Sequence, residues 1–479
     1  MKRRDFLKLT GFVPISFMGC GMGDEFSADK NRLNKTDNFN LKSQNTPLPI
    51  PKLLDPTIIN GIKKFHLNIQ EAHHTFFENI NTKTYGIEGT YLGPTLLLRR
   101  GETVEIEYKN SLREATTMHG HGMHVPAIMD GGVHQVINPN QRWSAKYTVN
   151  QQASTCWYHP HLMGKTAEQV YMGLAGMIIV EDEESKNLNI PQTYGVDDIP
   201  IVLQDKKFDS NGQIDYSPNR MEIRRGYKAD TFLVNGAIEP YFNAKTGWLR
   251  LRVLNGANAR VFKISFGPLN KFYQIATDNS FLEQPLELSS LVLSPGERAE
   301  IVVYVDRDLV LQDRNTSKAL LYILKDDGVG LVDSLPTQLT TLERLKIEDA
   351  KRERRFVLNM QRGRMAINSK IMDKNRIDVR VPVNEVEVWE IINPMHMVHN
   401  FHIHATHFEV IERNGSARNV LPSERGFKDT IYMPPRSTAK VLVKMKDYVD
   451  EVHPYMYHCH ILEHEDDGMM GQFTVVSNS

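Results

Sequence analysis

Cysteine is nearly missing from this chain, with three in 479 residues. That is too few for a disulfide framework. Cys20 lies in the N-terminal leader. Cys156 precedes Trp157 on an expected strand and reads as a small buried apolar side chain. Long apolar runs are lacking as well: past the leader, no segment approaches the ~20 apolar residues of a transmembrane helix. Formal net charge is −1 with no basic block, so a nucleic-acid partner finds no electrostatic footprint, and an acidic surface for a cationic protein is equally unsupported. The last gap is internal. None of the 18 histidines falls between His161 and His396.

Lys2-Arg3-Arg4-Asp5-Phe6-Leu7-Lys8, followed by the short apolar stretch Leu9 to Met18, reads as a twin-arginine export signal over residues 1–20. The expected partner is therefore the twin-arginine machinery and the expected location the periplasm. That route carries folded proteins, which suits metal sites assembled on a finished fold. Phe17-Met18-Gly19-Cys20 only weakly resembles a lipoprotein cleavage box. It leaves open a lipid on Cys20, the one membrane attachment expected here. Residues 21–46, polar and rich in Asn, Asp and Lys, read as a flexible tether.

From Pro47 the texture changes to short β-branched and aromatic runs broken by Gly, Pro and Asn. Thr103 to Tyr108, Leu249 to Leu254, Glu300 to Val305 and Val386 to Ile392 alternate at period two, the signature of half-buried strands. Many such strands imply an all-β protein of sandwiches. Three echoes, beginning at Gly101, Gly247 and Val383, each lead toward an Asn: Asn110, Asn255 and Asn393. Their spacing is about one sandwich domain. Domains are expected over 47–183, 184–345 and 346–479, with the charged stretch Arg344 to Arg355 as an exposed linker or short helix.

What is present in abundance is histidine at the two ends. His119/His121 and His159/His161 are His-x-His pairs. His399, His402 and His404 follow, and then His458-Cys459-His460-Ile461-Leu462-Glu463-His464 with Met469 beyond. On an extended strand, positions i and i+2 share a face, so each pair offers two imidazoles to one metal cluster. Cys459 then faces away from His458 and His460. A thiolate, His464, the Met469 thioether and one further His make the donor set of a blue-copper electron-transfer site. The flanking imidazoles are left for different metal on the other face, one backbone step away.

These motifs, with Tyr91-Leu92-Gly93-Pro94, Ala153 to His161, Met172 to Gly176, Gln204 to Phe208, Val234 to Ala237 and His464 to Met470, make the chain resemble the multicopper oxidases from about Thr84 to Val476. Within them it is similar to the bacterial copper-tolerance (cuprous oxidase) branch related to laccases. The resemblance implies three consecutive cupredoxin-like Greek-key β-sandwiches and four coppers. His399, Cys459, His464 and axial Met469 would hold the blue type 1 ion, Met at that place implying a modest potential. His119 and His402 would hold type 2 copper. His121, His159, His161, His404, His458 and His460 would hold the type 3 pair. Asp130 and Glu465 match family carboxylates on the proton route, and dioxygen is the implied acceptor. The histidine-free central domain is expected to be structural. His124, His134, His396 and His407 do not fit the ligand pattern, and His66, His73, His74 and His453 read as structural.

Relatives in the cuprous oxidase branch carry a methionine-rich insertion over the blue copper. The corresponding stretch here, Asn359 to Asn368, is short, which predicts a more open blue site. Met397, with Met395, Met360 or Met365, is the expected thioether dock for Cu(I). The leading expectation is a Cu(I) oxidase for copper tolerance, ahead of a laccase-like phenol oxidase or ferroxidase. A copper-free cell-envelope scaffold is the remaining reading. It is disfavoured because every ligand position is filled.

Overall fold

The computed structural model describes residues 46–478. The expected export signal, Cys20 and all of the tether except Thr46 lie outside the described residues. Strands fall into three consecutive groups. Residues 57–181 form a five-stranded and a four-stranded sheet, residues 198–329 an eleven-stranded sheet, and residues 350–476 two five-stranded sheets. Alternation explains the layering. Along the strand Thr103–Asn110, Val104, Ile106 and Tyr108 point inward while Thr103, Glu105 and Glu107 face outward. Each group closes over its own core: Ile69, Ile106 and Ile178; Leu251, Phe262 and Ile301; Phe356, Trp389 and Phe401. A fully buried Ile or Phe contributes about 1.5–3 kcal/mol, so each layer pair holds together largely through these side chains.

The threefold echo in the sequence has one structural cause. Asn110, Asn255 and Asn393 are each buried at the end of a long strand. Each accepts, through Oδ1, the backbone N–H two residues on: Leu112 at 2.9 Å, Ala257 at 3.1 Å and Met395 at 3.1 Å. Each also donates through Nδ2 to carbonyls just past the turn and on another strand or its flank. These are Glu114 and Ile137 (2.8 Å each), Arg260 and Leu293 (2.8 Å each), and Met397 and Met433 (3.0 Å each) with Pro434 (2.8 Å). An amide is the side chain that serves donor and acceptor needs of buried backbone at once.

The stretch Arg344 to Arg355 differs from expectation. After a short 3-10 turn, residues Ala350–Gln361 form a strand paired in parallel with Val386–Asn393. Its charges are held by partners: Arg352 and Arg354 both reach Glu387, Arg354 at 2.6 Å. Phe356 and Leu358 face the core.

The first and third groups pack directly on each other. Val133 meets Met372, Met456 and Met470, and Ala167 and Val170 meet Leu462. Tyr455 donates to the Val125 carbonyl at 2.7 Å. The two histidine-bearing ends of the chain are thereby brought together. Replacing Asn255 by Ala is expected to lower stability by about 2–4 kcal/mol, since it strands buried backbone groups. Denaturant unfolding of the metal-free protein checks this.

Candidate metal centre

Strand pairing sets the histidines opposite one another. The strand His119–His121 pairs with Ser154–His159, placing His119 across from His159. The strand His399–Ile403 pairs with Asp450–His458, placing His402 across from His458. Where the two sheets meet, His121 stacks on His402 (centroids 3.7 Å, 12°) and His119 on His404 (3.9 Å, 22°). All eight imidazoles, four from each end of the chain, are buried.

Their nitrogens sort the rings. His161, His404 and His458 converge, with His458 Nε2 3.1 Å from His161 Nε2 and 3.0 Å from His404 Nε2. His121, His159 and His460 form a second group with centroids 4.9 to 5.7 Å apart. His119 and His402, 6.1 Å apart, lie between. The outer nitrogens are committed: Nδ1 of His119 donates to the Asp130 carbonyl (2.7 Å), of His159 to Pro160 (2.8 Å), of His402 to Asp429 (2.9 Å) and of His404 to Asp130 Oδ2 (2.8 Å). His458 Nδ1 faces Glu465 Oε2 at 3.1 Å and the Cys459 carbonyl at 3.2 Å. A ring that gives its proton outward presents a lone pair inward. The Nε2 atoms of His404 and His458 therefore face each other as two acceptors at 3.0 Å, an arrangement that only a cation between them satisfies. Nε2 of His119, His159 and His402 and Nδ1 of His121 are likewise buried without a partner. Burial drives His119, His121, His159, His402, His404 and His460 below the ordinary histidine range, and His161 to about 4, which keeps these rings in the neutral form that binds metal.

The second donor set is trigonal. His399 Nδ1 and His464 Nδ1 lie 3.1 Å apart, and Cys459 Sγ is 3.5 and 3.6 Å from them. A point equidistant from such donors lies roughly 2 Å from each, a metal–ligand bond length. Met469 is buried in the same core, and its carbonyl accepts the Cys459 N–H at 3.1 Å. The regular strand ends at His458. That one backbone bond keeps the next step extended, so sulfur and imidazoles still face opposite ways. Burial pushes the Cys459 thiol up to about 12; a bound cation reverses that preference.

Asp130 and Glu465 both enter the imidazole site. Asp130 holds one ring from each end of the chain, His119 through its carbonyl and His404 through its carboxylate. The following glycine makes this possible: at φ +74°, a Cβ on Gly131 would lie 1.8 Å from the Met118 carbonyl oxygen. Burial raises the Asp130 carboxyl above its ordinary range. Glu465 bridges His161 Nδ1 (3.4 Å) and His458 Nδ1 (3.1 Å). Burial opposes its charged form, but those two imidazoles outweigh it and hold the carboxyl well below the usual range.

The central stretch supplies no imidazole and acts by holding groups behind the donor sets. The Arg224 carbonyl accepts from His464 Nε2 at 3.0 Å, Asn258 donates to Glu463 at 2.9 Å, and Arg298 grips Asp429. One expectation is corrected: the blue site is not open. His399 and His464 are each only 1% exposed, because the helix Arg220–Arg225 covers the edge of His464 that a missing insertion was expected to bare. Asn400 was also missed. Its Oδ1 accepts the His460 N–H at 2.6 Å and lies 3.5 Å from Cys459 Sγ. Its position directly after His399 was the only available sign.

Other sequence candidates belong to neither donor set. Met397 and Met360 are partly buried against the third core, and Met365 is fully buried. His124 donates to the Ala405 carbonyl, His134 meets Gln472, His407 stacks on Phe427, and His396 is exposed beside Arg436. Cys156 is buried and unpaired, its thiol pushed up to about 11 mainly by burial.

With this geometry in hand, comparison with known proteins is direct. Two sequence models described as "Multicopper oxidase" match residues 68–185 and 337–479. The chain is 38% identical over 450 residues to the multicopper oxidase mco of Staphylococcus aureus, covering 91% of this chain and 94% of that protein. It is 36% identical over 456 residues to the cell division protein FtsP of Xenorhabdus nematophila, covering 91% and 93%. A laccase from Pediococcus acidilactici Pa5930 has a similar structure, with a TM-score of 0.84 at 33% identity over 90% of this chain and 94% of that one. The chain belongs to the multicopper oxidase family. It is an oxidoreductase of cupredoxin-like fold, in a class that works with copper, dioxygen and a reducing substrate. Copper titrated into the metal-free protein is expected to raise its melting temperature progressively until both donor sets are filled, because ligand bound only to the folded state stabilises it. Calorimetry with parallel metal analysis measures this.

Proposed function

We propose that this protein is a four-copper oxidase that takes electrons singly from a small reduced donor and passes them to dioxygen. In this reading His399, Cys459 and His464, with the Met469 thioether, would hold type 1 copper. His119 and His402 would hold type 2 copper, and His121, His159, His161, His404, His458 and His460 would hold the type 3 pair. The observation that carries it is the segment His458-Cys459-His460: its sulfur lies in the trigonal set and its imidazoles in the other. Bound copper would supply one-electron uptake at the thiolate and four-electron reduction of dioxygen to two waters at the imidazoles.

The chain's own groups do the rest. Backbone and side-chain bonds of Cys459 join the two sets covalently. Protons must be carried into a closed site. Asp130 keeps Oδ1 unpartnered, and Glu465 stands beside His161 and His458. We assign proton delivery to these two carboxylates.

For the donor we propose Cu(I), received at the thioether of Met397 two residues before His399, in the service of copper tolerance after twin-arginine export to the periplasm. One observation favours a second reading. The helix over His464 carries Arg220, Arg224 and Arg225, and Arg224 reaches the Gly363 carbonyl at 3.4 Å, between Arg362 and Arg364. Such a cationic rim repels cuprous ions and attracts anionic organic donors. The resemblance to a cell division protein supports a third, non-catalytic reading, and the complete donor sets weigh against it.

Oxygen uptake by the copper-loaded protein with Cu(I), Fe(II), a neutral phenol and a carboxylated phenol separates these. Cu(I) is expected to be turned over fastest. A rate no higher than the uncatalysed background would sink the cuprous assignment, preference for the carboxylated phenol would establish the second reading, and no uptake with any donor the third. Cys459→Ser is expected to bleach the blue band and abolish oxidation of external donors while the other coppers stay bound. Surviving turnover would mean that electrons enter elsewhere.

A further inference from the structure

We infer that Asp429, clamped by Arg298 of the central stretch, is the positioning residue that turns His121 around, so that it offers Nδ1 to the paired coppers where its neighbours offer Nε2. The inference rests on the copper-ligand reading above and deepens it.

Five cluster rings give Nδ1–H to an oxygen acceptor, namely His119, His159, His402, His404 and His458. Against these five, His121 is reversed. Its Nε2 lies 2.9 Å from Asp429 Oδ1, and its Nδ1 is the buried nitrogen without a partner. A carboxylate accepts only, so this contact fixes the proton on Nε2 and the lone pair on Nδ1. Asp429 also acts on the stacked partner ring, since its backbone carbonyl accepts from His402 Nδ1 at 2.9 Å. One residue thus sets opposite linkages in two parallel rings, and Thr430 Oγ1 touches both of them. The carboxylate oxygens of Asp429 are taken by His121, Thr430 and Arg298, which suits it to hold a ligand and not to be one.

The carboxylate cannot swing away. Arg298 donates to both its oxygens, at 2.7 and 2.6 Å, and is itself completely enclosed, donating further to the carbonyls of Thr155, Gly296 and Asp278. Gly122, directly after His121, makes room for this fork: at φ +85°, a Cβ there would lie 2.5 Å from the guanidinium and 2.9 Å from the carboxylate. A two-pronged grip of this kind fixes direction as well as charge. Acceptors behind metal-binding imidazoles orient the ring and raise its basicity.

The test is the paired substitution Asp429→Asn with Arg298→Gln, which leaves neither charge buried alone, in the copper-loaded protein. The blue band is expected to persist, because the trigonal site is separate. The EPR-detectable share of total copper should rise as the pair loses its coupling, and oxygen uptake should fall by about 10–100-fold. A merely structural role would not move the pair's magnetism while sparing the blue band. Full copper with an EPR-silent pair and oxygen uptake within about twofold of wild type would overturn the inference while leaving the oxidase reading intact. A wild-type protein that binds no copper would sink both. If the paired variant does not fold, Arg298→Lys decides, since it keeps the charge and loses the fork: a smaller change in the same signals is expected, and unchanged coupling overturns the assignment.

Discussion

A neutral imidazole sealed from water has one proton and one lone pair to satisfy, and the whole centre is built around where each proton goes. Outward acceptors are supplied at almost every ring: carbonyls of Asp130, Pro160, Asp429 and Cys459, and carboxylates of Asp130 and Asp429. With the protons drawn outward, the lone pairs can only point in. Metal affinity at such a site follows from backbone placement as much as from the ligands themselves. The sharp turns after Asp130 and His121 exist to bring acceptors close.

This division explains what could be read from the chain. Ligand types announce themselves, because few side chains bind copper and a period of two puts them on one face. The three strand-ending asparagines were visible as echoes too, since each meets the same local need in the same way. Acceptors are invisible in sequence when they are backbone carbonyls, and nearly so when they are acids with ordinary neighbours. Asp429 sits between Lys428 and Thr430 and reads as surface. It is in fact fully buried, and Lys428 beside it is spent on Asp278 and Glu297 at 2.9 and 3.0 Å. Arg298 opens an alternating strand, where a charged residue normally faces water. Only its enclosure reveals its role.

The same blindness made a missing insertion read as a more open blue site, and hid how the central stretch holds the groups behind the ligands. The structure uses a carbonyl at Arg224 to hold His464 and a guanidinium at Arg298 to hold Asp429. Neither needs a histidine, and neither leaves a spacing pattern. The central stretch contributes to both donor sets by fixing the groups behind them.

Such a centre works against the stability of the fold that carries it. Buried imidazole nitrogens without partners cost free energy, and the facing lone pairs of His404 and His458 add repulsion at 3.0 Å. Burial disfavours the protonated form of His404 that would bridge the gap. Natural folds tolerate broken rules of this kind at functional sites and offset them elsewhere. Here the offset is close at hand: three closed cores, the fully paired Arg298–Asp429–Asp278 cluster and the repeated asparagine turns. Rigidity around the site and strain inside it are two sides of one arrangement, because lone pairs that are held apart from protons, and cannot relax, are what make the metal's arrival favourable.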